Sequence, residues 1–210
     1  MADTRHLTQQ DVFWAGEFGS AYIGRNASEQ LLAANLRFFA DALRATGALG
    51  SCLELGANIG MNLRALRHLY PALTMKAVEI NPDATRQLAE VIGAENVATQ
   101  SLFDYRSEQT FDLVFTKGVL IHLNPDRLPQ AYDTLYGASH RFIMVAEYYN
   151  PSPIAIPYRG HADRLFKRDF AGELLDRFPD LRLVDYGFVY RRDPAFAQDD
   201  ITWFLLEKKA

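Results

Sequence analysis

The 210-residue chain is 49% apolar and 23% charged with a formal net charge of −4, which suits one domain with a full core and gives no general pull toward nucleic acid or membrane. Its lone cysteine, Cys52, excludes an intrachain disulfide and a cysteine-rich metal site, and reads as a small buried group. The opening MADTRHLTQQDVF has no apolar signal core, and no run of about 18 apolar residues occurs, so a soluble, cytoplasmic protein is the expectation.

Residues 1–47 stand apart from the rest of the chain. The aromatic, glycine-containing FWAGEFGSAYIGRN (13–26) precedes an amphipathic helix at 27–45. Strands and helices then alternate. A strand at 51–56 leads to a helix at 58–70, with Ile59, Leu63, Leu66 and Tyr70 at helical spacing and Pro71 after the stop. A second strand spans 73–80. The next helix has Asn81 as N-cap, Pro82 at its first position and Gly93 at its end. Strands come next at 95–102 and 111–118, then a helix at 124–138 that Pro129 should bend or shorten. A strand at 140–149 precedes a helix at 166–180 with Phe166, Phe170, Leu174 and Phe178 on one face. Strands at 181–190 and 201–209 end the pattern. The alternation predicts an α/β fold: a doubly wound, mostly parallel sheet with helices on both faces and ligands bound beyond the strands' carboxyl ends.

The first strand ends in ELGANIG, which sets Glu54 ahead of Gly56, Asn58 and Gly60; the second ends at Glu79. An acid there is positioned to bond both hydroxyls of a ribose. A dinucleotide site would want G-x-G-x-x-G, and a P-loop G-K-[ST]; neither occurs. An adenosine-type ligand without a phosphate fits best. The alternative is a glycine turn that only links strand to helix.

The segments LELGANIG, VEINP, FDLVFTKGVLIHLNP and QDDITWFLLEK resemble class I S-adenosylmethionine (SAM)-dependent methyltransferases. The longer stretches FWAGEFGSAYIGRN, EYYNPSPIAIPYRGHADRLFKRDFAGE and DYGFVYRRD resemble, more narrowly, the pseudaminic acid biosynthesis-associated methylases, over nearly the whole chain. The resemblance implies a Rossmann-like sandwich with a seven-stranded sheet in the order 3-2-1-4-5-7-6, the last strand antiparallel. It implies a single methyltransferase domain, with an N-terminal lid and helix at 1–47 and a core at 48–210. Gly56 and Gly60 would let the backbone approach the methionine part of SAM, with Glu54 beside them. Asn58 departs from the family's middle glycine; asparagine tolerates left-handed backbone, and its amide caps the next helix or meets the ligand. Glu79 takes the ribose, with Ile80 next to it. Adenine falls to backbone at Leu102 or Phe103 and to the side chain of Ser101 or Asp104. Lys117 and Gly118 lie beside the methionine moiety.

Methyl transfer is an in-line displacement that needs a close, collinear nucleophile in a dry site. No metal is required, and a base helps only a hydroxyl or ammonium acceptor. His122 is the best base by location, or else a structural histidine. Glu147 either accepts backbone bonds or orients the acceptor. Tyr148 and Tyr149 are pocket walls or strand-end aromatics. Phe13, Trp14, Phe18 and Tyr22 suggest a lid hinged at Gly16 and Gly19, with Arg25 and Asn26 reaching the SAM carboxylate; the alternative is a staple against the core. The basic stretch PYRGHADRLFKRDF (157–170) comes after the fifth strand, where class I enzymes build the acceptor pocket. Tyr158, Arg159, His161 and Arg164 are the candidates for gripping an anion; Lys167 and Arg168 read as a solvated helix start. Arg191, Arg192, Asp199 and Asp200 add to the rim.

The expected function is methylation of a small, polar, anionic acceptor such as a nonulosonic (pseudaminic-type) sugar acid, on oxygen rather than nitrogen, with SAM converted to S-adenosylhomocysteine (SAH). The alternatives are methylation of another small metabolite (carboxylate, amine or amino acid), cyclisation of SAM itself, and a non-catalytic SAM-binding pathway protein. Nucleic-acid methylation is disfavoured, because no extended basic face and no N-P-P-Y-like motif occur. The oligomeric state is open.

Overall fold

A computed structural model describes residues 7–24 and 28–209 of the chain. Its helices are α1 (Gln9–Ala15), α2 (Glu17–Ile23), α3 (Glu29–Ala42), α4 (Met61–Leu69), α5 (Pro82–Ile92), α6 (Leu128–Ala138) and α7 (Phe170–Arg177). Its strands are β1 (Ser51–Leu55), β2 (Thr74–Glu79), β3 (Val97–Thr99), β4 (Phe111–Lys117), β5 (Ser139–Glu147), β6 (Ile154–Tyr158), β7 (His161–Lys167), β8 (Leu181–Val189) and β9 (Ile201–Lys208). Among the described residues seven strands form one sheet in the order β3-β2-β1-β4-β5-β9-β8, and β6 and β7 form a separate hairpin. β1 to β5 run parallel, while β9 is antiparallel to both of its neighbours. The sheet has the expected order once the hairpin is set aside.

The pleat divides the core in two. On β1, Cys52 joins the layer under α3, α4 and α5, whereas Leu53 and Leu55 join the layer under α6 and α7. Phe38 and Phe39 of α3 are fully buried, so α3 belongs to the sheet's cover. Among the described residues no helix is long and apolar enough to cross a membrane.

Element starts obey local chemistry. Asn81 caps α5 by accepting from the N–H groups of Asp83 and Ala84, with Pro82 in the first turn. Pro129 falls in the first turn of α6, where its missing N–H costs nothing. The helix therefore begins at Leu128, after a 3-10 turn at Pro125–Arg127, instead of at 124.

Two expectations for the basic stretch are corrected. Residues 154–167 form the β6–β7 hairpin, with Ile154 opposite Lys167 and Ala155 opposite Phe166. The next helix starts only at Phe170, because the Asp169 side chain accepts from the Gly172 N–H and caps it there. Lys167 is thus a strand residue over the Tyr148 ring. Arg168 is not a solvated charge either: its side chain is 19% exposed and bonds Glu173 at 2.5 Å.

Candidate active site

A cavity of about 630 Å³ lies at the carboxyl ends of β1 to β4. Its floor is the segments at and just beyond the ends of these strands: 56–59, 79–81, 100–102 and 117–119. Its other walls come from α1 (Gln10, Asp11, Trp14), α2 (Gly19, Tyr22), α3 (Asn35), the hairpin turn (Arg159) and the β8–β9 loop (Arg191, Gln198, Asp199). The volume is in the range of sites that enclose small organic ligands, roughly 300–1,000 Å³.

The turn after β1 needs its glycines. Gly56 has φ +78°, and a Cβ there would lie 2.6 Å from Val119; Gly60 has φ +83° at the N-cap of α4, and a Cβ would lie 2.8 Å from Leu88. Asn58 adopts the left-handed conformation, φ +48°. Its amide does not cap α4, and its Oδ1 is buried without a protein partner. Its N–H instead donates to Glu79 Oε2 at 2.7 Å, while Asn81 N–H donates to Glu79 Oε1 at 2.8 Å. The carboxylate at the end of β2 therefore ties the two turns together on the cavity wall. Burial pushes its pKa up, against these backbone donors.

Under this wall lies a second polar group. Glu54 is fully buried, accepts from Asn62 Nδ2 at 2.6 Å, and leaves Oε2 without a partner. Burial pushes its pKa up to about 8, and the Lys117 charge works against that. Lys117 is pulled down to about 8 by its own burial. Its ammonium donates to Asn35 Oδ1 at 3.3 Å, and Gln198 Nε2 donates to the same oxygen at 3.3 Å.

His122 sits in the 3-10 turn beyond β4, its ring 4.6 Å from Trp14 and 5.0 Å from Tyr158. Nδ1 lies 2.6 Å from the Arg164 carbonyl oxygen. A carbonyl only accepts, so Nδ1 carries the proton and Nε2 keeps its lone pair. Burial lowers the pKa to about 4, so the ring is neutral.

Glu147 does not line the cavity. Oε1 accepts from Thr116 Oγ1 and from the N–H groups of Val119 and Leu120, and Oε2 from Ile121 N–H. Of the two roles open to it, the geometry is that of a clamp on the turn carrying His122. Glu147→Ala strands three backbone N–H groups and is expected to cost about 3 kcal/mol of unfolding free energy, read from urea denaturation.

The other sequence candidates divide by position. Trp14, Tyr22, Ile80, Ser101, Leu102, Lys117 and Arg159 line the cavity. Phe103 is buried under Arg127, and Asp104 is exposed outside the cavity; of the two side chains expected to face adenine, Ser101 is the one that lines the cavity. Tyr148 and Tyr158 stand behind the wall. Tyr148 bonds Asp199, Tyr158 bonds Tyr22 and Arg159, and burial pushes the Tyr22 phenol up to about 12.

Arg164 is corrected: its side chain lies over the Phe13 ring, outside the cavity, and its carbonyl does the work by orienting His122. Arg25 and Asn26 lie outside the described residues, and so does the side chain of His161. Asp11, Asn35 and Gln198 were not anticipated. The T-x-x-D capping box that holds Asp11 at the start of α1 is readable in sequence. The neutral amides Asn35 and Gln198 carry no pattern.

Neither a protein-family model nor a curated protein matches the chain. Solved structures do. The Burkholderia thailandensis 1,6-didemethyltoxoflavin-N1-methyltransferase, with bound 1,6-didemethyltoxoflavin and S-adenosylhomocysteine, has a TM-score of 0.71 and 19% identity, covering 99% of this chain and 93% of its own. Magnesium protoporphyrin IX methyltransferase from Synechocystis PCC 6803, with bound SAM, has a TM-score of 0.66 and 13% identity over 98% and 100%. The plantazolicin methyltransferase BpumL, in complex with SAH, has a TM-score of 0.65 and 13% identity over 96% and 94%. The chain has the Rossmann-like methyltransferase fold that these proteins share.

Proposed function

We propose that the protein is a SAM-dependent methyltransferase that methylates a hydroxyl of a small anionic acceptor. The observation that carries this reading is Glu79, a carboxylate on the cavity wall at the end of β2, held by the turn beyond β1. A buried carboxylate there suits the two hydroxyls of a ribose.

The polar atoms of the wall, three acceptors and one donor, fit the amino groups and hydroxyls of an adenosine with an amino-acid arm. Gln10 Oε1, Trp14 Nε1, Asn58 Oδ1 and Gln198 Oε1 are buried without protein partners, and all four residues line the cavity. Ser101 and Leu102 would take the base, Glu79 the ribose, and Lys117 the carboxylate of the arm. SAM supplies an electrophilic methyl on a sulfonium, and SAH is left after transfer.

The chain's own part is to orient the acceptor and remove its proton. With SAM bound, the wall residues would hold the acceptor hydroxyl in line with the methyl that the cofactor supplies, and Nε2 of His122 would take the hydroxyl proton. His122 would then be an imidazolium, a charge that the neutral buried ring can accept only once the positively charged cofactor is neutralised. Trp14 and Tyr22 exclude water from above.

Among the described residues Arg159 and Arg191 are the guanidiniums on the cavity wall, and they suit the carboxylate of a nonulosonic, pseudaminic-type sugar acid. Arg159 occupies the first position of a two-residue turn, with φ +50° before +84° at Gly160. Such a turn prefers Asn-Gly, so a strained arginine marks function over folding. Arg159→Asn is expected to keep stability and SAH affinity while raising the acceptor KM about 10- to 100-fold, the worth of one charge-assisted bond. Methyl-labelled SAM offered with candidate sugar acids, and mass spectrometry of the products, tests the whole reading. Tight SAM binding with no labelled product from any acceptor would overturn it.

A further inference from the structure

The cavity floor is ordered across the sheet. The strands lie side by side as β3-β2-β1-β4, so the segment at the end of β2 (79–81) has those of β1 and β4 on one side and that of β3 (100–102) on the other. Neighbouring strands are about 4.8 Å apart. A ligand with its ribose on Glu79 and its arm toward Lys117 therefore lays its base over the end of β3.

Asp104, just past β3, is exposed outside the cavity. The carboxylate that stands at this end comes from α1, 90 residues before Ser101 in the chain. Asp11 is 6% exposed and lines the cavity, and its Oδ1 lies 3.5 Å from Ser101 Oγ. Among the described residues the other acids on the wall serve elsewhere: Glu79 is held by the turns beyond β1 and β2, and Asp199 is bonded by Tyr148 beyond β5.

Asp11 is fixed with one oxygen turned to the cavity. Oδ2 accepts from Thr8 N–H at 2.9 Å and from Thr8 Oγ1 at 2.8 Å, and Asp11 N–H donates back to Thr8 Oγ1 at 3.1 Å. Oδ1 meets the Ser101 hydroxyl at 3.5 Å, which is long beside the usual ~2.5–3.0 Å for O–H···O and leaves it room for a second donor. The adjacent Gln10 donates from Nε2 to the Asp163 carbonyl at 3.2 Å, which turns its Oε1, buried without a protein partner, the other way. The first turn of α1 thus brings side-chain acceptors to the wall.

We propose that Asp11 reads the exocyclic amino group of the cofactor's base, so that the N-terminal helix decides that the base is a 6-aminopurine. This rests on the SAM reading above. A carboxylate only accepts. The amino group of adenine donates and satisfies Oδ1. A 6-oxo purine would set a carbonyl oxygen against it, two acceptors with no proton between them. Phe103 N–H is already taken by Ser101 Oγ at 3.3 Å, so of the two backbone groups expected to face the base, that of Leu102 meets N1. Trp14, one turn further along α1, packs against His122, so the base also holds in place the helix that closes the reaction site.

The test is calorimetric titration of the full chain with SAH, with its inosine counterpart (a carbonyl in place of the amino group) and with its 6-unsubstituted purine counterpart. The wild type is expected to bind SAH at least about 100-fold more tightly than the inosine counterpart and about 10- to 100-fold more tightly than the unsubstituted one. Asp11→Asn reverses the polarity of the reader. Thr8 N–H still needs an acceptor, so the amide oxygen stays in the cap and the amide nitrogen faces the base. This variant should bring the SAH-to-inosine ratio within about 10-fold. Thr8→Ala loosens the same cap but keeps the carboxylate, so both affinities fall together and the ratio stays near the wild type's. If Asp11→Asn fails to fold, the unsubstituted counterpart on the wild type still decides. Equal binding of SAH and either counterpart by the wild type, a ratio in Asp11→Asn as large as the wild type's, or a ratio lost equally in Thr8→Ala would overturn the proposal. A wild type that binds none of the three would bring down the SAM reading itself, and this inference with it.

Discussion

Glu79→Ala is expected to weaken SAH binding at least about 100-fold and to abolish the thermal stabilisation that SAH gives the wild type. A hydrogen bond to a charged acceptor is worth about 1.5–3 kcal/mol, and two ribose hydroxyls would share this carboxylate. At ligand concentrations near 100 Kd the wild type gains about 2.7 kcal/mol, so the contrast is large in a melting experiment and in calorimetry. The variant also strands the N–H groups of Asn58 and Asn81, so some loss of stability without ligand is expected. Glu79→Gln separates the two effects. It keeps the shape and one acceptor oxygen, and it should lose affinity by an intermediate amount while holding more of the turn. Wild-type SAH affinity in Glu79→Ala would remove the basis for the proposed cofactor.

The turns at the carboxyl ends of β1 and β2 are legible because their chemistry is local. A strand, a glycine turn and a helix must succeed one another within about ten residues for a backbone to approach a ligand, and ELGANIG provides them. Glu79's place on the cavity wall is legible because it depends only on where the second strand stops. Asn81 was legible as a cap, yet it has a second task that no cap pattern carries: its Nδ2 donates to the Trp14 carbonyl at 3.1 Å and fastens α1 to the cavity wall. Ser20 does the same for α2 by donating to Asp83 at 2.5 Å.

The β6–β7 hairpin is less legible, for physical reasons. IAIPYRGHADRLFK reads poorly as a hairpin: Pro157 removes a ladder donor, and Arg-Gly is not a standard turn pair. The fold accommodates Pro157 at a register irregularity between Ile156 and Tyr158. The pattern points to the Arg164 guanidinium, but its carbonyl is what meets His122, and any residue carries a carbonyl. Side-chain identity cannot reveal such a role.

His122→Gln is expected to lower kcat by roughly 10²- to 10⁴-fold, the usual contribution of a positioned proton acceptor, and to leave SAH affinity unchanged. A purely structural histidine would not split the two readouts. Stability supplies a second signature, and its sign comes from the depressed pKa. Between about 4 and the ordinary 6.5 the unfolded chain binds a proton at this histidine and the folded chain does not. The neutral, buried ring therefore contributes stability that is complete above pH 6.5 and is lost as the pH falls through 4. The gap between those values is worth about 3 kcal/mol. Glu54 and Glu147, both pushed up by burial, act in the opposite sense over part of this range, so the quantity to measure is the difference between wild type and variant. In urea unfolding at pH 7 and pH 4.5, the wild type should lose more stability than His122→Gln between the two. Equal losses, together with an unchanged kcat, would leave His122 a packing residue and shift the proton-accepting role elsewhere in the cavity.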